Sequence, residues 1–194
     1  MRARLLPGLT VAAVVFSVLS AGVSAWQQDL TTDEPIHLEW SRRLLETRVS
    51  DRGALHFNSK TPVMIPNVLA RKAVRRFADT KDVRLLTFAA RLPTLLWHLA
   101  LLLAVFFLTR SFVGRSAAHL ATLGAALEPN LVANASIATV DAAYALFTVL
   151  TLGAVLAFAR RPSLVRALLV GLALGDAFST KFTAFLLIPG VLLF

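Results

Sequence analysis

Two adjacent carboxylates, Asp33 and Glu34, stand in the run Thr31-Thr32-Asp33-Glu34-Pro35-Ile36-His37, shortly after a long uncharged segment. A carboxylate held at a membrane surface can take the proton of an attacking hydroxyl as a general base. His37 follows Asp33 by four residues and Glu34 by three, so on a helix the three share one face. Such oxygen and nitrogen donors suit a divalent metal cation, with Asp33, His37 and Asp141 as candidate ligands. Asp141 and Lys181 lie at the ends of apolar segments, where an ionisable group is costly and by default marks function.

Each of these residues also has a plain structural use. Thr31 followed by Glu34 fits a capping box and Pro35 fits a first helical turn, which predicts a helix from about Thr32 to Glu46. Its acids would favour the helix dipole, and Lys181 would simply reach for the interface. In that helix Glu39 pairs with Arg43 and Arg42 with Glu46, while Ile36, Trp40 and Leu44 share the opposite face. Past Asn58-Ser59-Lys60-Thr61-Pro62, a second amphipathic pattern sets Val63, Pro66, Ala70, Ala73, Val74 and Phe77 on one side. Arg71, Lys72, Arg75 and Arg76 take the other side. Such a basic interfacial helix binds anionic lipid headgroups or helps hold a lipid-linked phosphate; the pattern fits both.

The elements that must position these groups are membrane helices. The chain has 194 residues, 57% hydrophobic and 16% charged, with a mean hydropathy of +0.69. That is too apolar for an ordinary soluble domain. Lys and Arg outnumber Asp and Glu by 20 to 11, an excess that in a membrane chain reports orientation; no basic cluster is interleaved with aromatics as nucleic-acid binding requires. With no cysteine, disulfide frameworks, thiolate metal sites and thiol nucleophiles are excluded.

Residues 5–25 are uncharged and long enough, at about 1.5 Å per residue, to cross a hydrocarbon core of about 30 Å. A signal peptide cleaved after Val23-Ser24-Ala25 is the rival reading. A hydrophilic stretch follows over 26–91, and further apolar segments cover 92–109, 117–127, 142–159 and 167–180, making five candidate membrane segments. The connectors carry Arg110 and Arg115, then Arg160, Arg161 and Arg166, whereas Glu128 to Asp141 holds no base. Positive-inside logic therefore predicts a cytoplasmic N-terminus and an outer loop over 26–91. Asp33, Asp141 and Lys181 would then face one outer compartment. The expected fold is an all-α, polytopic transmembrane bundle with amphipathic interfacial helices in a large first outer loop, one domain over 1–194. His98, inside the second segment, is expected to bond between helices. Asp176 is expected to pair with a helix outside this chain, and the sequon Asn134-Ala135-Ser136 is a chance match. The apolar ending at 191–194 suggests the N-terminal portion of a longer protein.

In that frame the chain resembles the N-terminal part of the GT-C superfamily of membrane glycosyltransferases. The similar group is the polyprenyl-phosphate-sugar-dependent one that includes protein O-mannosyltransferases and lipid A aminoarabinose transferases. The resemblance rests on Asp33-Glu34, Lys60-Thr61-Pro62, Ala90-Arg91-Leu92-Pro93, Glu128-Pro129-Asn130 with Asp141, and Gly171-Leu172-Ala173-Leu174-Gly175 with Thr180-Lys181-Phe182. It implies a catalytic base at Asp33 supported by Glu34, donor-phosphate contacts from Lys60, Arg91 and Lys181, and an active-site acid at Asp141. The loop carries Thr61-Pro62 where the family usually has two prolines, and Asp176 stands where the family is apolar.

The implied activity is transfer of a hexosyl or pentosyl group from a polyprenyl-phosphate carrier to a hydroxyl of a lipid, glycan or protein acceptor. It would proceed by a single inverting displacement at the outer face of a bacterial-type inner membrane. A base for the incoming hydroxyl and cations for the returning phosphate charge make that chemistry coherent, with or without a divalent cation. The alternative is a non-catalytic membrane module that binds anionic lipid or a partner protein. A transporter would call for Gly- or Pro-broken helices in repeated halves, and no repeat is visible.

Overall fold

The computed structural model describes residues 5–45 and 63–192, apart from the side chain of Leu44; Lys60 lies outside the described residues. Those residues form helices and no strand. The long elements are α1 (Leu5–Gln27), α2 (Glu34–Leu45), α3 (Ile65–Phe77), α4 (Val83–Phe112), α5 (Arg115–Ala126), α6 (Pro129–Ala135), α7 (Asp141–Arg160) and α8 (Leu164–Thr180). A 3-10 turn (Phe182–Leu186) and α9 (Leu187–Leu192) follow. Among the described residues, three helices are long and apolar enough to cross a membrane: α1, α4 and α7.

The chain has two ends where its connections gather. At one, Gln28, Glu34, Ser136 and Ala138 are hydrogen-bonded together and Lys181 meets Asp141. At the other, Arg160 donates to the carbonyls of Ser111 and Phe112, and its guanidinium stacks on Phe112 at 4.4 Å. Helices α1, α4, α7 and α8 each run from one end to the other. The return from the end of α4 to the start of α7 is made by α5 and α6 together, 12 and 7 residues long. They are broken at Leu127-Glu128, where Pro129 opens a new helix and the Glu128 carboxylate caps it by accepting from Leu131 N–H at 2.6 Å. Five apolar passes were expected; three are long apolar helices, and the expected passes over 117–127 and 167–180 fall in the shorter α5, continued by α6, and in α8, which has 17 residues and stops at Lys181.

The second long helix begins earlier than hydropathy suggested. Asp82 caps α4, accepting from the N–H groups of Arg84 and Leu85, and the helix runs 30 residues, through Pro93. Arg91 therefore sits within a helix and not at its entrance. Asn67 of α3 braces this helix on either side of Pro93, donating to the Ala90 carbonyl at 2.7 Å and to Thr94 Oγ1 at 2.9 Å. Chain reversal at the far end uses Gly114, whose φ of 122° disfavours any other residue.

Helix α2 matches expectation within two residues, and α3 packs on α4 through the side that carries Asn67. Val63, Met64, Asn67 and Val68 are buried, whereas Phe77 is 86% exposed and Leu69 50%. Asn67 ties this side to α4 with its two donated bonds, while the side with Phe77 stays outward, as on an interfacial helix. Between the apolar helices, polar contacts act as clasps. Ser17 Oγ on α1 meets His98 Nε2 on α4 at 2.8 Å, as expected for His98, and Thr10 Oγ1 meets His119 Nδ1 on α5 at 2.9 Å. Gly153 of α7 lets α4 approach, since a Cβ there would lie 2.7 Å from Leu108 Cδ1.

Candidate active site

The centre of the gathered end is Arg91. Its guanidinium is fully buried and uses all five N–H donors inside the chain. Nε and Nη2 form a fork onto Glu34 at 2.8 and 2.7 Å. Nη1 donates to the carbonyls of Ala25 (2.7 Å) and Gln28 (2.9 Å), and Nη2 also donates to that of Asp29 (2.9 Å). These carbonyls belong to the last turn of α1 and the residues just past it, where a helix leaves its acceptors unpaired and its dipole favours a cation.

Glu34 is equally committed. Besides the fork, Oε1 accepts from Ala138 N–H at 2.7 Å, and Oε2 accepts from Thr31 N–H at 2.9 Å and Thr31 Oγ1 at 3.1 Å. The helix starts at Glu34, so Thr31 stands outside it and the expected capping box does not form, although Glu34 reaches back to the Thr31 N–H. Burial works to raise the Glu34 pKa, but the hydrogen bonds from Arg91, Ala138 and Thr31 and the Arg91 charge outweigh it and hold the carboxyl below its usual range. One ion pair thus fastens the end of α1, the start of α2, the middle of α4 and the loop before α7.

Asp33, one residue earlier, is the residue left open. Its carbonyl accepts the first turn's bond from His37 N–H at 3.1 Å, and its side chain is exposed. Of the two adjacent carboxylates, one is held inside the chain and the other is exposed. Glu34, expected to support Asp33, has both oxygens engaged by Arg91, Ala138 and Thr31, and Arg91, expected at a donor phosphate, has all five N–H groups engaged within the chain.

Asp141 and Lys181 do come together. Lys181 Nζ donates to Asp141 Oδ1 at 2.6 Å, and both side chains keep more than a third of their surface exposed. Lys181 sits in extended backbone between α8 and the 3-10 turn, which aims its side chain at the first turn of α7. There Asp141 lies at the favourable end of the helix dipole. The Tyr144 ring lies 5.9 Å from the ammonium, a neighbour that no sequence spacing announced.

Asp33, His37 and Asp141 do not assemble as the expected metal ligand set. Among the described residues, no group of three or more His, Asp and Glu side chains could hold a metal ion. His37 is buried on α2, whereas Asp33 faces outward. Asp176 is exposed on α8. Asn67 and the Ala138 N–H were missed by sequence reasoning. Asn67 is a lone amide in a basic stretch, and a backbone donor leaves no trace in side-chain identity.

Residues 84–194 match the family model described as dolichyl-phosphate-mannose-protein mannosyltransferase. No curated protein and no solved structure matches the chain.

Proposed function

The chain belongs to the dolichyl-phosphate-mannose-protein mannosyltransferase family, and from that premise we propose that it serves a glycosyl transfer in which Asp33 is the general base. The donor is a sugar on a polyprenyl phosphate. Asp33 takes the proton of the acceptor hydroxyl as its oxygen bonds to the anomeric carbon. The bond from that carbon to the phosphate oxygen breaks, and its electron pair stays on the phosphate. The sugar inverts in this single displacement.

The observation that carries this reading is the exposed Asp33 carboxylate, fixed beside a buried and saturated Glu34–Arg91 pair. A general base must be both accessible and held in place, and the pair supplies the second condition. Lys181 is the proposed partner of the departing phosphate, exchanging Asp141 for it, and Lys60 is proposed as a second contact on the strength of the resemblance. We place this end of the bundle at the outer face of a bacterial-type inner membrane, with the N-terminus cytoplasmic. Arg110, Arg115, Arg160, Arg161 and Arg166 at the opposite end support that orientation. The acceptor is a hydroxyl on lipid, glycan or protein.

The test is Asp33→Asn in the full protein, assayed for transfer from a polyprenyl-phosphate sugar in membranes. Transfer should fall by at least about a hundredfold, the lower bound of a general base's contribution, with membrane insertion unchanged. Transfer at the normal rate would remove Asp33 from the mechanism and favour a non-catalytic module.

A further inference from the structure

A second charged feature stands beside this site and takes no part in it. Helices α2 and α3 enclose a groove of about 430 Å³, lined by Glu39 and Arg42 from α2 and by Arg71, Lys72 and Arg75 from α3. Pro35, Leu38 and Val68 supply its apolar wall. Glu39 is the one carboxylate among these residues, and it is already held by Arg42 at 2.8 Å and Arg43 at 3.1 Å. Arg71 and Arg75 remain as the cations that give the groove a positive lining, which suits an anion.

Its height in the molecule indicates which anion. Helix α3 doubles back on α4 across residues 78–82, with Asn67 against Ala90 and Thr94. The turns bearing Arg71 and Arg75 consequently stand beside the first turns of α4. There the Arg84 guanidinium lies 4.8 Å from the Trp26 ring, and Trp26 meets Phe88 edge-on at 5.3 Å. Trp26 closes the first apolar helix, and tryptophan at such an end marks the level of lipid headgroups. Around the groove, Ile36, Leu69 and Phe77 expose 53%, 50% and 86% of their surface. Acyl chains would cover these side chains, and a small soluble anion would not.

We propose that the groove between α2 and α3 binds the phosphate headgroup of an anionic membrane phospholipid, with Arg71 and Arg75 as its principal contacts. The bound lipid braces α2, and with it the Asp33 turn, against α3. Neither residue belongs to the transfer chemistry above, so the site stands whether or not Asp33 is the base.

The test uses the full chain in detergent micelles and native mass spectrometry, comparing retention of phosphatidylglycerol with that of phosphatidylcholine of the same acyl chains. The wild type should retain phosphatidylglycerol preferentially. Each basic residue near a membrane surface contributes about fivefold, so Arg71→Gln/Arg75→Gln should lower that retention about thirtyfold. Arg71→Lys/Arg75→Lys should keep most of it, which separates lost charge from lost folding. Arg110→Gln/Arg115→Gln, at the opposite end, should leave it unchanged. Equal retention of the two lipids overturns the proposal, as does an undiminished signal in the Gln double variant. Displacement of the lipid by excess inorganic phosphate would also overturn it, since the site would then recognise soluble phosphate.

Discussion

Replacing Arg91 by Gln is the most demanding test of the architecture, because the side chain serves five acceptors at once. Removing it leaves the Glu34 carboxylate buried without a counter-charge and takes donors from Ala25, Gln28 and Asp29. Breaking a buried pair from one side costs about 3–5 kcal/mol. Arg91→Gln should lose that much, read as unfolding free energy from the helical circular dichroism of the micellar protein in denaturant. Glu34→Gln should cost a similar amount, since its amide N–H groups would face the donors of Arg91, Thr31 and Ala138. The double variant should cost less than the sum by at least about 2 kcal/mol, because each single change already strands the other partner. Acid supplies an independent arm. The Glu34 carboxyl is held below its ordinary pKa of 4.5 in the folded chain. Its contribution is therefore complete above pH 4.5 and is lost as pH falls through the folded value. Glu39, held at about 2 chiefly by its hydrogen bond from Arg42, titrates alike in wild type and variant. The stability gap between wild type and Glu34→Gln should therefore close on acidification below pH 4.5. Additive single variants, or a gap that ignores pH, would refute the assignment of Glu34–Arg91 as the fastening of this end.

Other outcomes follow from the same geometry. Lys181→Gln should change stability by no more than about 1 kcal/mol, as befits a half-exposed pair, yet raise the donor KM in a transfer assay; an unchanged KM removes Lys181 from the phosphate site. Asn67→Ala should destabilise the protein by about 1–3 kcal/mol through the two bonds flanking Pro93, measured by the same denaturant titration. Gly153→Ala should cost about 1–3 kcal/mol because its Cβ meets Leu108, and Leu108→Ala in the same chain should recover part of that loss; recovery of nothing would mean that the contact is not the cause.

Much of the fold could be read from sequence because hydropathy and charge act locally. The uncharged run before Trp26 became α1, and the arginines at 110–115 and 160–166 gather at one end while Asp33, Asp141 and Lys181 gather at the other. One misreading arose where hydropathy hid a local cap: Pro93 and Arg91 suggested a boundary, yet Asp82 caps the helix two to three turns earlier. Another arose from a long-range contact: Asn67, 23 and 27 residues from its partners, braces α4 on either side of the proline and turns its own side of α3 inward, beyond the reach of any periodicity.

The same distinction explains what sequence could not divide at the site. Asp33 and Glu34 are neighbours of like charge, and both carried a catalytic expectation. Their roles separate because the helix begins between them. Asp33 gives its carbonyl to the first turn and leaves its side chain outside. Glu34, at the first helical position, points back into the bundle, where Arg91 reaches it from 57 residues away. The separation has an electrostatic consequence for transfer. Two exposed carboxylates would oppose an approaching phosphate with a double negative charge. Because Arg91 cancels Glu34 in the interior, a donor reaching this turn would meet Asp33 alone, and in the proposed mechanism Lys181 would answer its phosphate on leaving Asp141. On that proposal the acidic pair would divide into one base and one fastening, with Arg91 serving the donor indirectly by neutralising the second acid.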